Sequence, residues 1–148
     1  TEIYTLSLHD ALPISPLFFT VGGKWTEPKP VGHLIEIIPT SDLSNLKVGD
    51  SISFKVLHNG KALDKFNRGE IPFWPYFCAF GTNFGGEEEG FHLAGYLNNG
   101  EGRLKIPASG QWVVYSYLYL PIDKDLNPEL YGKAKYQYIS ASISFNVK

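Results

Sequence analysis

The sequence predicts an all-β chain folded as a β-sandwich of about seven strands, and three observations carry that expectation. Apolar and polar residues alternate with period two over Ser51–His58, Gln111–Leu120 and Ile139–Val147, so each segment sorts into a buried face and a wet face. Aromatic residues make up 15% of the chain, and 15 glycines with 10 prolines supply turns at short intervals. No segment repeats its apolar residues at the helical spacing.

Taken in order, the elements begin with a short β-prone run, Leu17–Val21, ended by Gly22-Gly23. Lys24–Gly32 carries Pro28 and Pro30, which deny backbone donors and favour an extended linker. His33–Ile38 reads as a strand closed by Pro39, and Leu46–Asp50 as a turn. In Ser51–His58, Ile52, Phe54 and Val56 share one face, and Asn59-Gly60 then signals a tight hairpin because both residues tolerate positive φ. Ile71–Phe80 is aromatic, but Pro72 and Pro75 demote its first half to edge strand or loop. Gly81–Gly90, with its glycines and Glu87, Glu88 and Glu89, reads as an exposed loop. Phe91–Leu97 and Arg103–Ile106 are strand candidates around an Asn98–Gly102 turn. Along Gln111–Leu120, Trp112, Val114, Ser116 and Leu118 point one way and Val113, Tyr115, Tyr117 and Tyr119 the other. Pro121–Lys135 is a polar excursion with room for one helical turn. The closing strand sets Ile139, Ala141, Ile143, Phe145 and Val147 against Ser140, Ser142, Ser144 and Asn146.

The first fourteen residues stand apart. Thr1–Ile14 back-translates, codon for codon, onto a common sequencing-library adapter, so this segment is expected to be foreign to the gene. His9 and Asp10 accordingly carry no functional weight. The expected division is residues 1–14 adapter-derived, 15–31 a remnant strand and linker from a missing upstream domain, and 32–148 the sandwich.

Composition narrows function by exclusion. A net charge of −2 and a pI near 6.0 leave no electrostatic footprint for nucleic acid. No apolar run approaches the roughly 20 residues that span a bilayer, so membrane insertion is not expected. A single cysteine, Cys78, forms neither an internal disulfide nor a CxxC metal site, and its apolar neighbours suggest a small buried hydrophobe. No nucleophile elbow, P-loop, dinucleotide fingerprint or Ser-His-Asp grouping is present, and the expectation is a domain that is not an enzyme.

Two sets of side chains remain as candidates. His92 with Glu87, Glu88 and Glu89 would place an imidazole and carboxylates on one glycine-rich loop, donors that suit a divalent cation. The plainer reading of the same residues is a solvated acidic loop. His33 and His58 show no chelating spacing, and His33 and Glu36 fall on opposite strand faces. The second set, Phe73, Trp74, Tyr76, Tyr115 and Tyr117, would make an aromatic surface for a sugar or protein, against core packing as its plain alternative.

Several segments in order resemble the second domain of the DUF4198 family. They are Gly32–Pro39, Leu46–Asp50, Phe54–Leu63, Asn99–Pro107, Ala108–Trp112 and the closing strand Ile139–Val147. The resemblance implies an immunoglobulin-like or transthyretin-like sandwich in a periplasmic or secreted bacterial protein linked to nickel or cobalt uptake. On that reading the partners are the missing N-terminal domain and a membrane transporter. Nickel or cobalt would belong to the full-length protein, with no cofactor in this fragment. Two departures bear on it: the family's N-terminal histidines are lacking, and its Thr-Asp-x-x-Gly turn becomes Leu97-Asn98-Asn99-Gly100. The expected role is a non-catalytic accessory or binding domain. The rival is a structural or carbohydrate- or protein-contacting module that uses the aromatic segment 73–80.

Overall fold

Alternation and turn chemistry shape the chain together. The computed structural model describes residues 25–68, 71–85, 91–125 and 128–148. The expected adapter segment, the Leu17–Val21 strand and Glu87–Glu89 lie outside them. The strands are β1 (Ile35–Pro39), β2 (Ser51–His58), β3 (Lys61–Ala62), β4 (Phe66–Arg68), β5 (Ile71–Phe73), β6 (Tyr76–Gly81), β7 (Leu93–Tyr96), β8 (Glu101–Lys105), β9 (Gly110–Pro121) and β10 (Tyr136–Val147). No helix occurs among the described residues.

Antiparallel pairing gathers these strands into two main sheets. In the first, β2 is central: β1 pairs with Phe54–His58 on one edge, while β8 and β3 share the other, on Ser51–Lys55 and Leu57–His58 respectively. The second sheet runs β10-β9-β6-β7. The two sheets pack face to face as a sandwich, in the strand order of an immunoglobulin-like domain. Among the described residues eight strands make up the two sheets, the two-residue β3 included, and β4-β5 forms a small separate pair. The prolines explain why β5 stands apart from β6. Pro72 and Pro75 cannot donate to a ladder, so the aromatic run breaks at Trp74-Pro75 into two short strands.

The turns follow their residues. Asn59 and Gly60 take φ of 51° and 72°, the two positive angles of a two-residue hairpin that sets His58 opposite Lys61. Asn99 and Gly100 repeat the device at 50° and 76° before β8. The Leu46–Asp50 turn is held by Asp50 Oδ2, which accepts from Lys47 N at 2.9 Å. In the β9–β10 connection Leu130 O closes a tight turn by accepting from Lys133 N and Ala134 N at 2.9 and 3.0 Å. Trp25, within the expected linker, packs against the core.

Between the sheets lies an apolar core with Ile52, Val56, Ile106, Trp112, Val114, Leu118 and Ile143 fully buried. Each such aliphatic side chain stabilises by about 1.5–3 kcal/mol relative to exposure. The inward face expected for β9 is the observed one, Ser116 included; its Oγ donates to Tyr76 O at 2.8 Å. Trp112 Nε1 donates to Ala108 O at 2.9 Å, so the indole is buried without an orphaned donor. Among the described residues, three of the four buried core rings share one arrangement, and Phe145 is the fourth. Phe54 stands opposite Gly102, Phe77 opposite Gly95, and Trp112 opposite Gly81. A Cβ on Gly81 would lie 2.5 Å from the Trp112 ring, one on Gly95 2.7 Å from Phe77, and one on Gly102 would overlap Phe54. Each ring therefore occupies the space its partner's missing side chain leaves open.

Candidate binding face

Because β6, β9 and β10 alternate, everything not facing the core is presented on the outer side of the second sheet. Register sets the rows. Ala94, Cys78, Tyr115 and Ser142 stand level across the four strands. Tyr96 pairs with Tyr76, Tyr117 with Ser140, Phe80 with Val113 and Tyr119 with Tyr138. Among the described residues, these strands place no Asp, Glu, Lys or Arg on this face.

The rings on it touch one another in a continuous layer. His92 lies 5.2 Å from Phe80 between ring centroids, and Phe80 stacks on Tyr115 at 5.7 Å and 14°. Tyr115 stacks on Tyr117 at 6.0 Å and 17°. Tyr117 is the hub. It meets Tyr76 edge-on at 5.3 Å, Tyr119 at 5.7 Å and Tyr138 at 5.2 Å, and its hydroxyl hydrogen-bonds that of Tyr76. Such pairs contribute about 0.5–1.5 kcal/mol each beyond area burial, which makes the layer stiff as well as apolar. It nonetheless stays accessible: Phe80, Tyr119 and Tyr138 are 38–39% exposed and Tyr96 75%.

Cys78 belongs to this layer and not to the inter-sheet core. It is buried, as its neighbours suggested, but on the outer side, beneath Tyr115. Burial, then the Tyr115–Cys78 hydrogen bond and nearby Cys78 and Tyr138 charge, push the Tyr115 phenol up from 10.0 to about 12. Burial likewise raises Tyr138. Both phenols are neutral donors and acceptors across the physiological range.

The sequence-selected residues fall in several places. Tyr76, Tyr115 and Tyr117 come together at the centre of the layer. Trp74 is exposed, with Lys65 Nζ 3.7 Å from its ring centroid, an arrangement that favours the cation over the ring face. Phe73 closes β5, and its side chain lies outside what is described. Phe77, from the same aromatic run, points the other way and meets Phe54 edge-on at 5.0 Å in the core. Tyr119 shares the outward stripe of Tyr115 and Tyr117 that the sequence shows, whereas Tyr136 and Tyr138 are not selected by it. The alternation read for the closing strand begins at Ile139, and only the β9–β10 register brings Tyr138 beside Tyr119.

His92 is exposed and lies against Phe80, while its proposed partners Glu87, Glu88 and Glu89 fall outside the described residues. His58 sits opposite Ile35, two residues from His33, so these two share one end of the first sheet while His92 belongs to the second. Burial lowers the pKa of His58. Among the described residues no three His, Cys, Asp or Glu side chains gather as a metal site would need. A shallow groove of about 270 Å³ beside Asp42, Asn45 and Asp50 has its carboxylates engaged in turns: Asp42 accepts from Ser44 N and Oγ, and Asp50 from Lys47 N.

The matching family model, described as a domain of unknown function (DUF4198), covers residues 13–117 of the 148. The chain belongs to the DUF4198 family. The DUF4198 match includes the last two residues of the adapter-like segment and stops inside β9, so the closing strand lies beyond it. No curated protein and no solved structure matches the chain.

Proposed function

We propose that this DUF4198 domain is a non-catalytic binding module whose working surface is the aromatic outer face of the β10-β9-β6-β7 sheet, and that its ligand is a neutral glycan. The observation that carries the reading is the uncharged ring layer centred on Tyr117, bordered by the hydroxyl row Ser140, Ser142 and Ser144. Apolar sugar faces pack on aromatic rings, and sugar hydroxyls find donors and acceptors in phenols and serines. A face whose described strands carry no fixed charge suits a ligand without charge, and a rigid layer loses little side-chain entropy when it binds. The family resemblance adds a bacterial periplasmic setting and a link to nickel or cobalt uptake, in which this domain would serve as an accessory.

The test is native electrophoresis through gels containing neutral polysaccharides. Wild-type protein should be retarded by at least one of them, and Tyr119→Ser/Tyr138→Ser should migrate as in a plain gel while keeping its circular dichroism. Retardation unchanged in the double variant would place the binding elsewhere. No retardation in any neutral polysaccharide would remove the glycan reading.

A further inference from the structure

Register places two tyrosines of the outer layer where they can react with each other. Tyr119 of β9 and Tyr138 of β10 are direct cross-strand partners. Opposed residues of an antiparallel pair carry their Cβ atoms about 4.5–5.5 Å apart, so the two side chains leave the sheet side by side. Their ring centroids are 5.1 Å apart and the ring planes meet at 61°. The other tyrosine contacts of the layer differ in access or in angle. Tyr117 touches four tyrosines, but it lies at the centre and its hydroxyl is bonded to that of Tyr76. Tyr115 and Tyr117 stack at 17°, close to parallel. Among the described residues, Tyr119 with Tyr138 is the touching tyrosine pair in which both rings stay open to solvent, at 39% and 38%.

We propose that Tyr119 and Tyr138 form an oxidative cross-linking site, joined within one chain when a one-electron oxidant, a peroxidase using hydrogen peroxide, reaches this face. Each phenol gives up one electron and one proton and becomes a phenoxyl radical. The two radicals pair through the Cε carbons beside the hydroxyls. The hydrogen on each of those carbons then passes to the oxygen, which restores both phenols. One carbon–carbon bond is made, two carbon–hydrogen bonds are lost, and the two hydrogens reduce one hydrogen peroxide to two waters. Because the bond forms at ring carbons, a hydrogen bond at either hydroxyl does not prevent it. Aryl rings joined by a single bond are twisted against each other, so the inclined pair lies nearer the product than a parallel stack does. The link closes residues 119–138 into a covalent ring, ties β9 to β10 and restricts the unfolded chain, as a disulfide does. This inference stands independently of the glycan reading, since it uses the reactivity of the rings and not their ligand.

The test treats the full chain, dilute enough for molecules to react singly, with a haem peroxidase and hydrogen peroxide. Mass spectrometry of the monomeric fraction, before and after tryptic digestion, reads the product. The expected product is a monomer lighter by two hydrogens, with dityrosine fluorescence and one joined pair of peptides carrying Tyr119 and Tyr138. Its melting temperature should be raised by several degrees. Tyr138→Phe, shown to be folded by circular dichroism, should lose the joined peptides, while Tyr96→Phe should keep them. Three outcomes would each overturn the proposal. The wild-type monomer could contain no dityrosine. The link could join any other pair of tyrosines. Oxidation could stop at the Cys78 thiol beneath Tyr115, which would make the ring layer a route to the thiol and not a cross-linking site.

Discussion

Tyr115 lies half-buried over Cys78, and its phenol titrates near 12 where an exposed tyrosine titrates near 10.0. The raised value means that the fold favours the neutral phenol. Its contribution to stability is therefore whole below pH 10 and is lost as pH rises from 10 toward 12. Phenolate absorbance followed beside circular dichroism should show part of the nine-tyrosine signal appearing only as the fold melts. Tyr115→Phe should move that melting to higher pH. Uniform titration of all tyrosines near their ordinary value, with circular dichroism unchanged, would show that the layer does not shield them.

At the scale of elements, the glycine–aromatic pairs are the most sensitive joints. Gly102→Ala would force the Phe54 ring and the nearby Leu97 side chain to move inside a filled core. Overpacking of this kind costs about 1–3 kcal/mol. Urea titration should show the midpoint falling with the slope unchanged; an unshifted midpoint would mean that the core has slack there. Strands with one buried face were legible in advance, because their side chains alternate: β2, β9 and β10 follow the expected faces, and Trp112 is fully buried as its face requires. Proline chemistry likewise foretold the break before β6. Register was not legible. Nothing local in Tyr136–Val147 says that Tyr138 will stand beside Tyr119, and no pattern in Lys61–Gly95 announces that β7 pairs with β6 while β8 crosses to β2. Non-local pairing decided both, so the aromatic layer was visible as separate stripes but not as one surface.

For the molecule as a whole, the two candidate sites meet at His92, whose ring lies beside Phe80 at the margin of the aromatic layer. The aromatic residues chosen from the sequence converge in part, whereas His33, His58 and His92 are divided between the two sheets. A transition-metal site needs several imidazole or thiolate donors at about 2.0–2.3 Å from the ion. Calorimetry with Ni²⁺, on protein lacking residues 1–14, should accordingly register at most weak binding. Submicromolar affinity abolished by His92→Ala would make the segment before β7 a genuine metal site. The three ring-on-glycine pairs carry a last consequence, one that concerns ancestry. Each pair reads equally well inverted, with the ring on the opposite strand and the glycine facing it. Yet the first step toward inversion either crowds a second large side chain into the pocket or empties it. Positions 54 and 102, 77 and 95, and 81 and 112 should therefore drift as couples. Among distant relatives, an exchanged couple should mark a branch point more reliably than any change on the exposed face.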